Sequence, residues 1–278
     1  MRLPLLFFVF MSLHTPAAIA EEPDSIAMER WFNMGRRQMH INAQKGKQYL
    51  DSIGVYISLG KADTIYLADY HKLYGMYYYR MNRQDSAILH YKKSLAKNKE
   101  LGRELEQAKM LINMAMARNR LGQYQQTIAL ALKALRKFER LNDHKGIGIA
   151  NNIAGQVYYF QKDYQKALRY FRNFLANARE ASDSVNIASG LGNIGSTLAA
   201  MKQLDSAIAY EKRALAMARD LQTGYSIANR LNNLAGYAQQ QERWEAAYNY
   251  YDKALQTYRQ VADTNGIGRT YINLGKTA

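Results

Sequence analysis

Along most of the chain, apolar residues recur at helical spacing in paired segments separated by short polar breaks. In one unit they run from about Ile147 to Gln161, stop at Lys162-Asp163, and resume from about Tyr164 to Arg179. So short a break forces the two predicted helices to turn back on each other, antiparallel. Between units lie polar or glycine-bearing stretches, Asn142-Asp143-His144-Lys145-Gly146, Ala181-Ser182-Asp183 and Asp263-Thr264-Asn265-Gly266. There Asp or Ser caps the next helix, and glycine permits the backbone to reverse.

The pattern repeats every 40 residues. Gly35, Gly75, Ala115, Gly155, Gly195, Ala235 and Gly275 form one small-residue column, and Ala87, Ala167, Ala207 and Ala247 another, with Thr127 as its exception. Leu95, Leu135, Leu175, Leu215 and Leu255 form an unbroken third column, and Tyr124, Tyr164 and Trp244 a fourth, in which Leu204 is the apolar substitute. Fixed-period self-similarity of this kind marks a stacked array. Helices packed about 8 to 10 Å apart need a residue without bulk where their axes meet. The Ala column of the second helix offers the opposing small surface, and Tyr164 and Trp244 are expected to fill the wider space beside it. The expected fold is all-α, an array of antiparallel helix pairs. Residues 64–278 give five full repeats plus the first helix of another, and residues 21–63 a degenerate first repeat and N-terminal cap, with Lys47 where the Ala column should be.

The stretch from Gly155-Gln156-Val157-Tyr158 through Tyr164, Ala167, Phe171 and Leu175 resembles the tetratricopeptide repeat. The resemblance covers residues 27–278. The 40-residue step departs from the usual shorter unit and is similar to the longer repeats of kinesin light chains, Rap-type bacterial peptide receptors and exported sensor regions of Bacteroidetes-type regulators. It implies a right-handed superhelical solenoid whose first helices line a concave groove. The family's two-carboxylate clamp is not evident, because Met76 stands where it would need asparagine after Lys72.

Asparagines recur two residues before the small column, at Asn33, Asn113, Asn193, Asn233 and Asn273, interrupted by Leu73 and Ile153. Two residues are about 200° around a helix, so these amides face away from the packing side, toward a groove. Asparagine both donates and accepts, so a row of them suits an extended peptide backbone; each could equally bond a neighbouring helix. On the same face lie Arg80, Lys109, Met116, Arg120, Gln156 and Phe160, with Arg36, Arg37 and His40 near Asn33 and Arg269 and Lys276 near Asn273. A groove basic toward its ends and neutral near Asn193 is expected. These residues are the candidate peptide- or protein-binding site.

Composition narrows the function classes. The absence of cysteine excludes disulfides, thiolate chemistry and zinc fingers. Arg2, the apolar run Leu3 to Leu13 and Ala18-Ile19-Ala20 before Glu21-Glu22 read as a secretory signal over residues 1–20, cleaved near Ala20. The run is too short to span a bilayer as an anchor. Its removal takes away only Arg2 and lowers the formal charge from +15 to +14. Export to a periplasmic or secreted location turns that charge away from nucleic acid, toward an acidic protein or peptide, an anionic polysaccharide or lipid surface, or simply well-solvated helices.

Catalytic signals fail on their context. Gly190-Leu191-Gly192-Asn193-Ile194-Gly195 matches the dinucleotide glycine fingerprint, but falls inside a predicted helix rather than at a strand–helix turn. Gly275-Lys276-Thr277 lacks the first glycine of a phosphate loop, which would fall at Thr270, and the histidines show no metal spacing. No cofactor or metal is expected. The sequence leaves three readings: a non-catalytic exported scaffold binding a protein or an extended acidic peptide; the periplasmic sensory portion of a membrane-bound regulator whose output domain is absent from this chain; and an enzyme.

Overall fold

A computed structural model describes residues 24–58 and 63–275; the apolar leader, the cleavage position and Lys276 lie outside them. The described residues form 13 α-helices and no strand. They are α1 (Asp24–Ile41), α2 (Ala43–Ser58), α3 (Thr64–Arg80), α4 (Gln84–Glu100), α5 (Glu104–Arg120), α6 (Tyr124–Arg140), α7 (His144–Phe160), α8 (Tyr164–Glu180), α9 (Ser184–Ala200), α10 (Leu204–Asp220), α11 (Gly224–Gln240), α12 (Trp244–Gln260) and α13 (Thr264–Gly275). Helix α7 begins three residues earlier than its apolar pattern, because the polar residues His144 and Lys145 complete its first turn.

The turns within and between repeats are alike. From α3 to α12 every helix has 17 residues, and three residues join each to the next. The middle residue of each connection has a positive φ, from 49° at Ser182 to 70° at Gly122. The hydrogen bonds close each helix in a Schellman motif: Asp143 N donates to Phe138 O at 3.0 Å and Asn142 N to Glu139 O at 3.1 Å. Only Gly102 and Gly122 meet this backbone demand with glycine; Asn, Lys, Ser, Gln, Glu or Ala meet it elsewhere. Ser182 therefore turns the chain rather than capping, while Asp143, Asp163, Asp183 and Asp263 accept from the amides of Gly146, Lys166, Asn186 and Gly266.

The small column faces a position sixteen residues later on the second helix. A Cβ added at Gly75 would stand 2.4 Å from the Tyr91 ring, and one at Gly155 2.7 Å from the Phe171 ring. Aromatic rings of the second helix thus sit where the first helix has no side chain. Gly275 has open space around it. Tyr164 packs edge-on against Tyr159 with ring centroids 5.6 Å apart, but Trp244 is 46% exposed and fills no interior space. In α2, Lys47 points outward to pair with Asp51 at 2.6 Å, and Gly46 lets α2 approach α1, since a Cβ there would lie 2.9 Å from the Met39 backbone.

Each helix packs on its chain neighbours, which makes the solenoid. Beyond that, α1 touches α3, α5 touches α7, α9 touches α11 and α11 touches α13, whereas contacts of that extent do not join even-numbered helices. The odd-numbered first helices therefore crowd the inner side of the curve, and the even-numbered helices form the outer side.

Candidate binding groove

Among the described residues, clefts open on the inner face at three places. The one nearest the N-terminal end, about 530 Å³, lies among α1, α3, α5, α6 and α7. Met76, Met110, Met116 and Ile149 give it an apolar floor, and Arg36, Lys72, Lys109 and Lys145 a cationic rim. A cleft of about 160 Å³ adjoins it, and the third, about 400 Å³, lies at the middle of the array.

The rim is less basic than its cations indicate. Lys72 Nζ sits 2.8 Å from Asp69 and 3.1 Å from Glu106, which also pairs with Lys109 at 2.8 Å. Burial alone would raise the Glu106 carboxyl; the bonds from Lys109 and Lys72 outweigh it and hold the group below the ordinary carboxylate range. Arg36 has no ion-pair partner among the described residues. Much of the chain's positive charge lies instead on the outer helices, where Lys92, Lys93, Lys133, Arg172 and Lys212 are exposed.

The candidate residues separate into groups. Lys109, Asn113 and Met116 line the cleft of about 530 Å³, and Arg80, Asn113 and Met116 the one of about 160 Å³. Gln156, Phe160 and Asn193 line the central one. Arg120 folds back within the chain, its guanidinium 3.9 Å from the Tyr79 ring centroid and 3.3 Å from the Tyr79 carbonyl. Asn33 is exposed on α1 outside the three clefts, and Asn273 is half-buried on α13, also outside them.

The asparagines do not act as one row. Asn113 has no hydrogen-bond partner among the described residues. Asn193 Nδ2 donates to Asn152 Oδ1 at 2.8 Å, which ties neighbouring first helices together and leaves its own carbonyl oxygen available. Asn233 Nδ2 donates to Glu211 Oε1 at 2.8 Å, and so spends its amide on the interior.

Glu211 escaped the sequence reading. Its side chain is fully buried, at the place on the second helix where Tyr91, Phe171 and Tyr251 stand in other repeats. Arg230 Nη1 reaches it at 3.1 Å. Burial pushes the carboxyl up to about 7, against the opposing pull of Arg230 and Asn233. Two glycines make room: a Cβ at Gly192 would lie 1.5 Å from Arg230 Nη1, and one at Gly195 3.0 Å from Glu211 Oε2. Both belong to the fingerprint-like run, which lies inside α9, so a cross-repeat ion pair occupies the space the missing side chains leave. The legible signal was a carboxylate in an otherwise aromatic or small column.

Stacked antiparallel helix pairs with an inner groove define a helical-repeat solenoid. The sequence profile of the tetratricopeptide repeat matches residues 106–180, 147–220 and 226–278, and the chain belongs to that family. Comparison with curated protein sequences gives no match. Among solved structures, the chain is similar to the apo form of RapI, at 18% identity and a TM-score of 0.74 over 94% of this chain and 73% of that one. It is similar to the apo form of the quorum sensor NprR from B. thuringiensis, at 19% identity and a TM-score of 0.75, covering 92% of this chain and 72% of that one. NprR in complex with its cognate peptide NprX aligns at 18% identity and a TM-score of 0.65, covering 86% and 69%. At these identities the likeness shows the shared fold.

Proposed function

We propose that this chain is a non-catalytic, exported scaffold that binds an extended, acidic protein segment or peptide in its concave groove. The observation that carries the reading is the cleft of about 530 Å³ on the inner face, whose methionine floor and lysine–arginine rim present apolar surface and positive charge together. An extended segment supplies both complements, apolar side chains for the floor and carboxylates for Arg36 and the rim lysines. That NprR holds a peptide on the same fold supports this use of the groove. The export part rests on Arg2, the run Leu3 to Leu13 and the small residues before Glu21, and no helix of the described residues is long and apolar enough to cross a membrane.

The test is fluorescence anisotropy with labelled extended peptides of equal apolar content, one set Glu-rich and one Lys-rich. The Glu-rich set is expected to bind, to weaken as salt rises toward 0.5 M through screening (roughly a 4 Å Debye length), and to bind the Asn113→Ala/Asn193→Ala variant more weakly. Equal binding of both sets, or unchanged affinity in the variant, overturns the reading. A second reading is the periplasmic sensory portion of a membrane-bound regulator whose output domain is absent from this chain. It draws on the likeness to a quorum sensor and to a protein with a tetratricopeptide repeat sensor. Here groove occupancy would alter superhelical pitch, and small-angle scattering that is identical with and without bound peptide would exclude it.

A further inference from the structure

The two smaller clefts are the same site built twice. One is lined by Met76, Tyr79, Arg80, Tyr91, Asn113 and Met116, the other by Gln156, Tyr159, Phe160, Phe171, Asn193 and Ser196. Each residue of the second stands 80 positions after its counterpart in the first, two repeats along. Both have a buried aromatic floor, Tyr91 or Phe171, a tyrosine wall, Tyr79 or Tyr159, and an asparagine, Asn113 or Asn193.

The equivalent places one repeat after each carry different side chains. One repeat after the first cleft the floor position is Ala131, the asparagine position is the buried Ile153, and Arg120 lies back over Tyr79. One repeat after the second, the floor position is Glu211, and Asn233 is bonded to it. The matching set of side chains is therefore found two repeats apart and not in the repeat between them.

Their differences set what each would hold. Arg80 in the first is replaced by Phe160 in the second, and the methionine walls Met76 and Met116 by Gln156 and Ser196. The second has three aromatic rings and no charged side chain, and Phe160 is 58% exposed at its mouth.

We propose that the two clefts are paired subsites for side chains of one extended peptide: an acidic side chain beside Arg80, its methylenes on Met76 and Met116, and an aromatic side chain in the central cleft, with the peptide backbone bonded to Asn113 and Asn193. This rests on the groove-binding reading and adds the ligand's pattern and spacing. With neighbouring first helices about 10 Å apart, two repeats span about 20 Å, or roughly six residues of extended chain.

The test is selection of randomised twelve-residue peptides on the mature protein, followed by affinity measurement. Enriched peptides are expected to carry an acidic and an aromatic residue about six apart, with aromatic-to-Ala replacement costing about tenfold or more in affinity. Phe160→Arg, a change at an exposed position, gives the central cleft the cation of the first and is expected to shift its selected residue from aromatic to acidic. Ser196→Met, which installs the first cleft's residue, should weaken aromatic peptides while circular dichroism confirms the fold. Peptides enriched without a paired pattern, or bound undiminished by both variants, overturn the subsites and leave groove binding standing. No enrichment over an unrelated helical protein overturns groove binding as well.

Discussion

A single carboxylate shows how a repeat departs from its own template. Glu211 occupies a ring's place in the interior, and its partner Arg230 passes through space that Gly192 leaves empty. Because the folded pKa of about 7 lies above the ordinary 4.5, the folded protein keeps a proton that the unfolded chain has lost between those values. Through this group, stability is fully present below pH 4.5, falls by up to about 1.4 kcal/mol per pH unit as pH rises, and levels off above 7. Glu211→Gln removes the titration, so its stability relative to the natural protein is expected to rise from pH 5 to pH 7. Thermal melts at a series of pH values measure it, and a difference flat with pH would refute the assignment. Gly192→Ala displaces Arg230 and strands the carboxylate, at a cost of about 3 kcal/mol above pH 7 that shrinks in acid. In the Glu211→Gln background that cost should be smaller, which a double-mutant cycle reads directly. The small column was legible because it needs only the absence of bulk, and absence leaves a clean mark. The ion pair was not, because its three parts lie on α9, α10 and α11 and join only when the helices stack.

At the scale of elements, the turns carry the regularity. Asp143, Asp183 and Asp263 were readable as caps, since their chemistry is local, and Asp163, read only as part of a polar break, caps in the same way. The left-handed residue in each connection was not, because lysine, glutamine and glutamate carry no turn signature and hold the conformation only under the packing of helices on both sides. That conformation strains any residue with a Cβ. Lys162→Gly and Glu242→Gly are therefore expected to stabilise the array by about 0.5–1 kcal/mol each, after allowance for the freer unfolded chain. Gly122→Ala should cost about 1 kcal/mol by the same reasoning. Melting temperatures read both directions; a fall in the glycine variants would show that these turns are unstrained. The start of α7 was misread for a related reason: His144 and Lys145 are exposed and leave no apolar mark.

For the whole molecule, the 40-residue step was sufficient for the architecture, because a period that survives without gaps sets the same helix pair in every repeat, whatever side chains then fill it. It was insufficient for the groove. The step put five asparagines on one face, yet Asn113 is unengaged, Asn193 is shared with Asn152, and Asn233 belongs to Glu211. Helical spacing gives a residue's direction, whereas its availability depends on partners from other helices. Charge followed the same rule: the basic excess expected in the groove is partly cancelled at Lys72 and Lys109, and much of the remainder decorates the outer helices. The central claim, that ligands enter the concave face, is tested most directly by a photo-crosslinking residue placed at Met116 on the inner face or at Arg172 on the outer one, with a pool of extended acidic peptides. Adducts at 116 that disappear with unlabelled peptide, and none at 172, are the predicted result; equal labelling at both positions, or labelling at 172 alone, would contradict it.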